Sequence, residues 1–173
     1  ITGTNGKTTT TTLTGEIMKA HFGKDKTFVV GNIGNPYTLE ADKTSKDSVT
    51  VGEISSFQLE TIHTFHPVVS AILNITPDHL NRHHNMEAYV AAKEAVASQQ
   101  TKADICVLNY DNDYTRDFAG RCPATPVLFS SHQELENGYF LRGDKIIKSV
   151  NGEEHELMDI HKDMNLVGLC NVE

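Results

Sequence analysis

A phosphate-binding loop opens the sequence, and its residues are Gly3, Thr4, Asn5, Gly6, Lys7 and Thr8. In such loops the glycines let backbone N–H groups approach phosphate closely, a lysine reaches the β and γ oxygens, and a hydroxyl ligates Mg²⁺. A helix that starts at the loop would aim its positive end at the same anion. The strict Walker A pattern would have glycine where this chain has Ile1, so the match is incomplete. The loop predicts nucleotide binding, and the alternative is a glycine-containing turn before a threonine-rich helix.

A carboxylate, Glu53, closes the apolar run of residues 49–52. In open parallel sheets, ligands bind beyond the carboxyl ends of the strands, so a polar residue at such an end is a candidate for binding. Glu53 could hold a magnesium ion beside the phosphates, directly or through water, although a solvated acid explains this residue equally well. Residues 109–113 also follow an apolar run, but their asparagines and aspartates are explained by a turn.

An imidazole, His79, follows the longest apolar run of the chain, residues 68–75. Together with His83 and His84 it could suggest a transition-metal cluster. Because no cysteine accompanies these histidines and a loop separates them, His79 alone beside Mg²⁺ is the better hypothesis.

Lys93 lies on the apolar face of a helix that is predicted to begin at Met86. Burial of this lysine would lower its pKa, because burial disfavours the ammonium, and would leave a neutral amine that can react. The alternative, which is the more common outcome for a lysine at such a position, is a side chain that lies along the surface and keeps its charge in water.

The phosphate loop must be positioned by regular elements around it. Helical spacing predicts a helix over residues 8–22, with Leu13, Ile17 and Ala20 on its apolar face and Gly23 at its end. Further along the chain, apolar runs typical of strands alternate with stretches of helical spacing. The strands are predicted at residues 27–30, 49–51, 68–75, 105–108 and 127–129, and the helices at residues 58–64 and 86–98.

This alternation predicts an α/β fold of the P-loop type, in which a mainly parallel sheet is flanked by helices in three layers. Residues 139–142 and 145–150 flank Gly143 and Asp144, and this pattern predicts hairpins instead of crossovers. We therefore expect a small antiparallel hairpin region near residues 127–160.

Composition favours one soluble domain. The 173 residues contain 38% hydrophobic side chains, no apolar run that could span a bilayer and no signal peptide, so we expect a cytoplasmic protein without a membrane partner. The formal charge of −8 opposes binding to nucleic acid and to anionic membrane. Cys106, Cys122 and Cys170 form no CxxC pair, which favours reduced thiols.

Six motifs in the same order resemble the central domain of the Mur ligases, the enzymes that build the peptide of peptidoglycan. They are the loop at residues 3–8, GNIG at 31–34, EISSFQLE at 53–60, DHLNR at 78–82, YVAAK at 89–93 and LVGLCNVE at 166–173. The resemblance covers nearly the whole chain, and it is closest to the family members that add D-glutamate.

The resemblance implies roles for individual residues. Lys7 and Thr8 would bind the ATP phosphates and Mg²⁺, and Glu53 would ligate one magnesium ion. His79 and a carbamylated Lys93 would serve a second magnesium ion, since CO₂ added to a neutral amine forms a carboxylate ligand. Asn32 would lie near the reacting groups, with Ser55 as a weaker candidate, and Asn171 would lie beside the nucleotide base. Asn81 and Cys170 stand where many relatives carry Asp and His.

The resemblance also implies substrates and a domain arrangement. The substrates would be ATP, UDP-N-acetylmuramoyl-L-alanine and D-glutamate, joined through an acyl phosphate by an enzyme that works as a monomer. Both ends of the chain look cut, so we expect it to be the central domain of a longer protein, between a UDP-binding domain and a third domain. Alternatives are another Mur-type or folylpolyglutamate-type ligase, a nucleotide-binding module without ligase activity, and a structural domain that no longer binds nucleotide.

Overall fold

Helix α1 (Lys7–Phe22) follows the phosphate loop directly in the computed structural model, which describes residues 1–163. The predicted helix is confirmed, but its predicted buried face is wrong, because Leu13 and Ile17 are exposed. The buried positions are Thr11 and Gly15. A Cβ atom on Gly15 would lie 2.4 Å from Cγ2 of Val29, so the glycine allows the helix to approach the sheet closely.

Residues 1–163 form eight strands. They are β1 (Thr27–Gly31), β2 (Val49–Glu53), β3 (Val69–Ile72), β4 (Ile105–Asn109), β5 (Thr125–Ser130), β6 (Gly138–Arg142), β7 (Lys145–Val150) and β8 (Glu153–Asp159). They are arranged as a two-stranded sheet, β1 and β2, and a six-stranded sheet, β3 to β8. Strands β1 and β2 pair in parallel, and β3, β4, β5 and β6 pair in parallel in that order. Strands β7 and β8 continue the same sheet in antiparallel orientation. The predicted α/β fold with a mainly parallel sheet is confirmed.

The antiparallel region is also confirmed, with narrower limits. Strand β5 belongs to the parallel part, because it pairs with β4 along its length and with β6 through Phe129 and Ser130. The hairpins therefore extend the main sheet from Gly138 onward and are not a separate appendage.

The first two residues join the two groups of strands. The backbone nitrogen of Ile1 donates to the carbonyl of Gly52 at 2.7 Å, and that of Thr2 donates to the carbonyl of Ala71 at 2.9 Å. The backbone of Ile1 and Thr2 therefore lies between β2 and β3. Next to Ile1, a cavity of about 610 Å³ continues between the same two strands, with Gly52 and Ser70 among its lining residues.

Helices cover the sheet and enclose one main core. The helices after α1 are α2 (Tyr37–Glu40), α3 (Ser56–Leu59), α4 (Leu80–His83), α5 (Met86–Glu94), α6 (Asp113–Ala119) and α7 (Ile160–Asp163). The core cluster contains the buried side chains of Leu59, Ile72, Ile75, Tyr89, Val96, Ala97, Cys106, Leu108, Phe118, Cys122 and Ala124. Burial of this apolar surface contributes the main favourable free energy of folding.

Several predicted elements differ in length. Strand β3 has four residues instead of the predicted eight, and beyond its end Asn74 accepts hydrogen bonds from the phosphate loop. Helix α3 is a single turn, which begins at a capping box formed by Ser55 and Gln58. Helix α6 was not predicted from the sequence, although Asn112 caps it by accepting a hydrogen bond from the Thr115 backbone.

Two further findings concern residues 1–163 only. Within this range, no helix combines the length and the hydropathy that crossing a membrane requires. Cys106 and Cys122 are buried free thiols, and burial raises the pKa of the Cys106 thiol to about 12. Cys170 lies outside the described residues.

Candidate functional site

The phosphate loop is held in shape by neighbouring segments. The backbone nitrogen of Thr4 donates to the carbonyl of Asn74, and that of Asn5 donates to the Asn74 side chain at 2.8 Å. The Thr4 hydroxyl lies 3.1 Å from the Tyr89 hydroxyl and accepts a hydrogen bond from the Thr76 backbone. These contacts fix the loop before any ligand enters.

Beyond the loop, the start of α1 is open to an anion. Gly6 occupies the N-cap position, and no side chain caps the helix there. The first turn contains no acidic residue that would compete for the N–H groups. Because a helix of 16 residues carries partial positive charge at this end, the geometry suits phosphate.

Lys7 folds back over the loop. Its ammonium donates to the carbonyl of Gly3 at 3.1 Å and to that of Thr4 at 2.9 Å. These carbonyls hold a positive charge at the mouth of the loop, next to the open end of α1. Rotation of the flexible side chain would let the same ammonium reach a bound phosphate.

Thr8, Asn32 and Glu53 meet at the ends of β1 and β2. The Thr8 hydroxyl donates to Oε2 of Glu53 at 2.8 Å, and the Asn32 amide donates to Oε1 at 3.0 Å. The Glu53 side chain is only 2% exposed, so these donors compensate for its lost hydration. Gly31 permits this approach, because a Cβ atom there would lie 2.0 Å from the Glu53 carbonyl oxygen.

This group can serve as a magnesium site. Hydroxyl and carboxylate oxygens are the ligands that Mg²⁺ prefers, and Thr8 and Glu53 place both kinds beside the phosphate loop. The Thr8 hydroxyl donates to one oxygen of this carboxylate and the Asn32 amide donates to the other. The donor set therefore fits the predicted metal.

Lys93 is buried on the opposite side of the loop. Lys93 is 2% exposed. The alternative left open by the sequence, a side chain that keeps its charge in water, is therefore wrong. The ammonium donates to the carbonyl of Gly3 at 2.7 Å and lies 4.7 Å from the centre of the Tyr89 ring. Burial, reinforced by the positive charge of Lys7, lowers the pKa of Lys93 to about 8. The neutral amine is therefore a minority near physiological pH, but a much larger fraction than for a lysine with the usual pKa.

His79 lies at the rim of this region. It occupies the N-cap position of α4 with φ 52°, and its side chain is 49% exposed. Its ring packs near Phe57, with 5.1 Å between the ring centres, and Nε2 lies 3.5 Å from Oδ2 of Asp78. An exposed imidazole at this position is free to turn toward a ligand.

The other histidines of this segment point elsewhere. His83 is buried against Ser56 and Glu60, whereas His84 is exposed. Within the described part of the chain, no group of three or more His, Cys, Asp or Glu side chains is arranged to hold a metal ion. The structure therefore gives no support to a transition-metal cluster at these three histidines.

The remaining candidates have structural contacts. Ser55 caps α3 by accepting from the Gln58 backbone at 3.3 Å, and its hydroxyl donates to the Gln58 side chain at 3.0 Å. Asn109 and Asn112 donate to the carbonyls of Leu73 and Ile75, so these two asparagines stabilise the loop after β3. Asn171 lies outside the described residues, and its predicted place beside a nucleotide base stays a prediction.

Two residues that contact the loop were missed as functional candidates. Asn74 was taken as part of an apolar strand, although a single amide side chain near the end of such a run is an available signal. Tyr89 belongs to the YVAAK motif, but its hydroxyl, which reaches Thr4, gives no local signal.

Comparisons with known proteins identify the family of this chain. A family profile described as Mur ligase middle domain matches residues 1–173. A UDP-N-acetylmuramoylalanine--D-glutamate ligase of Lachnospira eligens is 57% identical over 173 residues, which are the whole of this chain and 38% of that protein. The enzyme of the same name from Clostridioides difficile is 48% identical over 174 residues, and the match takes in the whole of this chain and 38% of that protein. The chain thus spans less than two fifths of these relatives.

Solved structures show the same fold. A MurF ligase from Thermotoga maritima in complex with ADP superposes with a TM-score of 0.64 at 17% identity, over 91% of this chain and 39% of the other. A UDP-N-acetylmuramate:L-alanyl-gamma-D-glutamyl-meso-diaminopimelate ligase from Neisseria meningitides gives a TM-score of 0.55 at 15% identity, over 95% of this chain and 56% of the other. Since the family profile matches every residue from 1 to 173, the chain belongs to the Mur ligase middle domain family.

Proposed function

We propose that this chain is the ATP-binding catalytic core of a ligase that joins UDP-N-acetylmuramoyl-L-alanine to D-glutamate in peptidoglycan precursor synthesis. The observation that carries the proposal is the convergence of four side chains on one loop. Lys7 and Lys93 both donate to the carbonyl of Gly3, and Thr8 donates to Glu53. The names of the relatives from Lachnospira eligens and Clostridioides difficile support the choice of substrates.

The ATP phosphates would lie across the phosphate loop and the start of α1. Backbone N–H groups of residues 3–8 and the ammonium of Lys7 would bind them, and the relative from Thermotoga maritima is described with bound ADP. Thr8 and Glu53 would hold one magnesium ion. A second would be held by His79 and by Lys93 after carbamylation. The bound cations would neutralise phosphate charge so that a carboxylate can approach.

The reaction would activate a carboxylate. The carboxylate of UDP-N-acetylmuramoyl-L-alanine attacks the γ-phosphorus of ATP, the bond to the β-phosphate oxygen breaks, and ADP leaves. The amine of D-glutamate then attacks the acyl phosphate, loses a proton and releases inorganic phosphate. Lys7 would stabilise charge on the transferring phosphoryl group, and Asn32 would orient reacting groups beside Glu53.

We also propose that the chain is the central one of three domains in a cytoplasmic monomer, with no nucleic acid or membrane partner. A UDP-binding domain would precede it and a third domain would follow it. The share of 38% of the relatives' length supports this arrangement. The cavity between β2 and β3 also supports it, because backbone leading into Ile1 would fill that space as a further parallel strand.

The decisive experiment measures phosphate release by the full-length protein that contains this chain. With ATP, Mg²⁺ and UDP-N-acetylmuramoyl-L-alanine present, we expect release to depend on D-glutamate, and L-glutamate, L-alanine and L-lysine should not replace it. Use of another amino acid would identify a different Mur-type ligase. ATP binding without release in the presence of any of these amino acids would identify a nucleotide-binding module and contradict the proposal.

A further inference from the structure

His83 occupies an unusual position between two polar side chains. It is 5% exposed, its Nε2 lies 3.0 Å from the Ser56 hydroxyl, and its Nδ1 lies 3.2 Å from Oε1 of Glu60. The nearby carboxylate favours the tautomer that carries its proton on Nδ1, since a carboxylate can only accept a hydrogen bond. Burial lowers the pKa of His83, which leaves Nε2 as the acceptor of the serine hydroxyl.

This order of serine, histidine and carboxylate is the one that activates a nucleophile in acyl-transfer enzymes. Here the serine cannot act in that way, because Ser56 is 2% exposed and no substrate reaches its hydroxyl. The arrangement therefore holds segments together instead of attacking a substrate. The role of His83 therefore depends on which segments its imidazole connects.

The imidazole contacts three segments of the proposed magnesium site. It joins α4, whose N-cap residue is His79, to α3, which begins three residues after Glu53. It stacks on Phe57 at 5.6 Å between ring centres, and the same Phe57 ring lies 5.1 Å from the ring of His79. Its own ring also lies 5.0 Å from that of Tyr89.

Tyr89 carries the connection to the phosphate loop. Its hydroxyl lies 3.1 Å from the Thr4 hydroxyl, and the Lys93 ammonium lies 4.7 Å from its ring centre. A shift of the His83 ring would therefore disturb His79 through Phe57 and Lys93 through Tyr89. Groups that orient metal ligands in this way commonly change metal affinity by about 10–100-fold when they are replaced.

We propose that His83 is a positioning residue, whose hydrogen bond to Ser56 and close contact with Glu60 fix the relative positions of Glu53, His79 and Lys93 and thereby set the affinity for the divalent cation. The proposal rests on the function proposed above, which assigns these three residues as ligands. His83 itself touches neither nucleotide nor cation.

The test uses the full-length protein and Mn²⁺ as a spectroscopic substitute for Mg²⁺. Free Mn²⁺ is measured by electron paramagnetic resonance during titration in the presence of a non-hydrolysable ATP analogue and bicarbonate. For His83→Phe, which keeps the stacking but loses the hydrogen bond to Ser56 and the contact with the Glu60 carboxylate, we expect a Kd about 10-fold higher. His83→Gln, whose amide offers a donor and an acceptor, should recover a Kd within about threefold of the wild type. His155→Phe, an exposed position on β8, is the matched control.

Melting temperatures separate positioning from simple loss of folding. Ser56→Ala removes the hydrogen bond of His83 but leaves its contact with Glu60, with a smaller change in volume, and we expect it to raise the Kd by a smaller factor while the protein stays folded. An unchanged Kd for both His83→Phe and Ser56→Ala would overturn the proposal, and so would a Kd for His83→Gln as high as that for His83→Phe. If the wild type fails to ligate D-glutamate, the function proposed above is lost, whereas the Mn²⁺ titration still decides the role of His83.

Discussion

Lys93 donates from its buried ammonium to the carbonyl of Gly3 at 2.7 Å, so a helix and the phosphate loop share a direct contact across 90 residues of sequence. Lys7 donates to the same carbonyl at 3.1 Å. Two ammonium groups on one acceptor repel each other, and this repulsion adds to burial in lowering the pKa of Lys93. The first prediction concerns the neutral amine that results.

Lys93→Ala in the full-length ligase should be inactive and should regain partial activity with a small added carboxylate such as acetate or formate. The reason is that a carbamate supplies a carboxylate ligand, which a free carboxylate can replace in the space left by the side chain. Ligation is measured as phosphate release dependent on D-glutamate. Lys46→Ala, at an exposed position, serves as the control and should keep full activity. Full activity of Lys93→Ala without any addition would rule out the carbamate.

Lys93→Met should make the isolated chain more stable in buffer free of CO₂. The pKa of Lys93 falls from 10.5 to about 8, so at pH 7 the folded state bears the cost of an unfavourable buried charge. Removal of that charge should raise the free energy of unfolding by about 1–3 kcal/mol, as followed by urea denaturation.

The free energy of unfolding should also depend on pH, in a direction that follows from the lowered pKa of Lys93. Between pH 8 and 10.5 the unfolded lysine holds its proton more strongly than the folded one, so the stability of the wild type should increase with pH over this range. The stability of Lys93→Met should lack this increase. Equal slopes in the two proteins would show that Lys93 is not buried as an ammonium.

Lys7→Ala should abolish ATP turnover and leave the fold intact. The Lys7 ammonium lies at the mouth of the loop, where it would stabilise charge on the transferring phosphoryl group, and we expect kcat to fall by at least about 100-fold. Circular dichroism and the melting temperature check the fold, which we expect to persist because the buried Gly3 carbonyl keeps its hydrogen bond from Lys93. Turnover at the wild-type rate would remove Lys7 from the mechanism.

Local pattern was enough to predict the loop, the helix after it and the parallel strands. Glycine, lysine and hydroxyl residues at fixed spacing carry the loop, and the carboxyl ends of parallel strands converge, which explains why Glu53 could be selected before its contact with Thr8 was known. The buried face of α1 could not be predicted from hydropathy. Close approach of a helix to a sheet requires a small residue, here Gly15, more than an apolar one.

Contacts between distant residues were beyond sequence reasoning. Asn74, beyond the end of β3, binds Asn5 across 69 positions. His83 reaches Ser56 across 27 positions. No periodicity records such pairs, because each depends on how separate elements pack. Helix α6 was missed for a different reason, since the asparagine that caps it is equally typical of a turn.

Gly15→Ala should destabilise the protein, although alanine favours helix. The added methyl group would lie 2.4 Å from Cγ2 of Val29, and overpacking of this kind costs about 1–3 kcal/mol, which exceeds the gain of about 1 kcal/mol in helix propensity. Urea denaturation measures the change. Gly120→Ala is the matched control, because a Cβ atom there meets only Asp117 at 3.7 Å. Combination of Gly15→Ala with Val29→Ala should recover part of the lost stability. If the double variant were no more stable than Gly15→Ala, the clash would lie elsewhere.

The gap between β2 and β3 leads to a prediction about hydrogen exchange. The carbonyls of Gly52 and Ala71 accept hydrogen bonds from the backbone of Ile1 and Thr2. In an extended strand the N–H and C=O groups of one residue lie on the same edge, so the N–H groups of Gly52 and Ala71 also face this gap. A parallel strand formed by the residues before Ile1 would accept hydrogen bonds from both.

Amide exchange of the chain 1–173 is therefore compared with that of a longer protein that includes the preceding residues. We expect the amides of Gly52 and Ala71 to exchange at least about 10-fold more slowly in the longer protein, because they become hydrogen-bonded within the sheet. The amides of Val51 and Ile72 face β1 and β4 by the same alternation, and they report any general change in stability. Slower exchange confined to Gly52 and Ala71 supports the additional strand, whereas equal slowing at all four positions would mean that the longer protein is only more stable throughout.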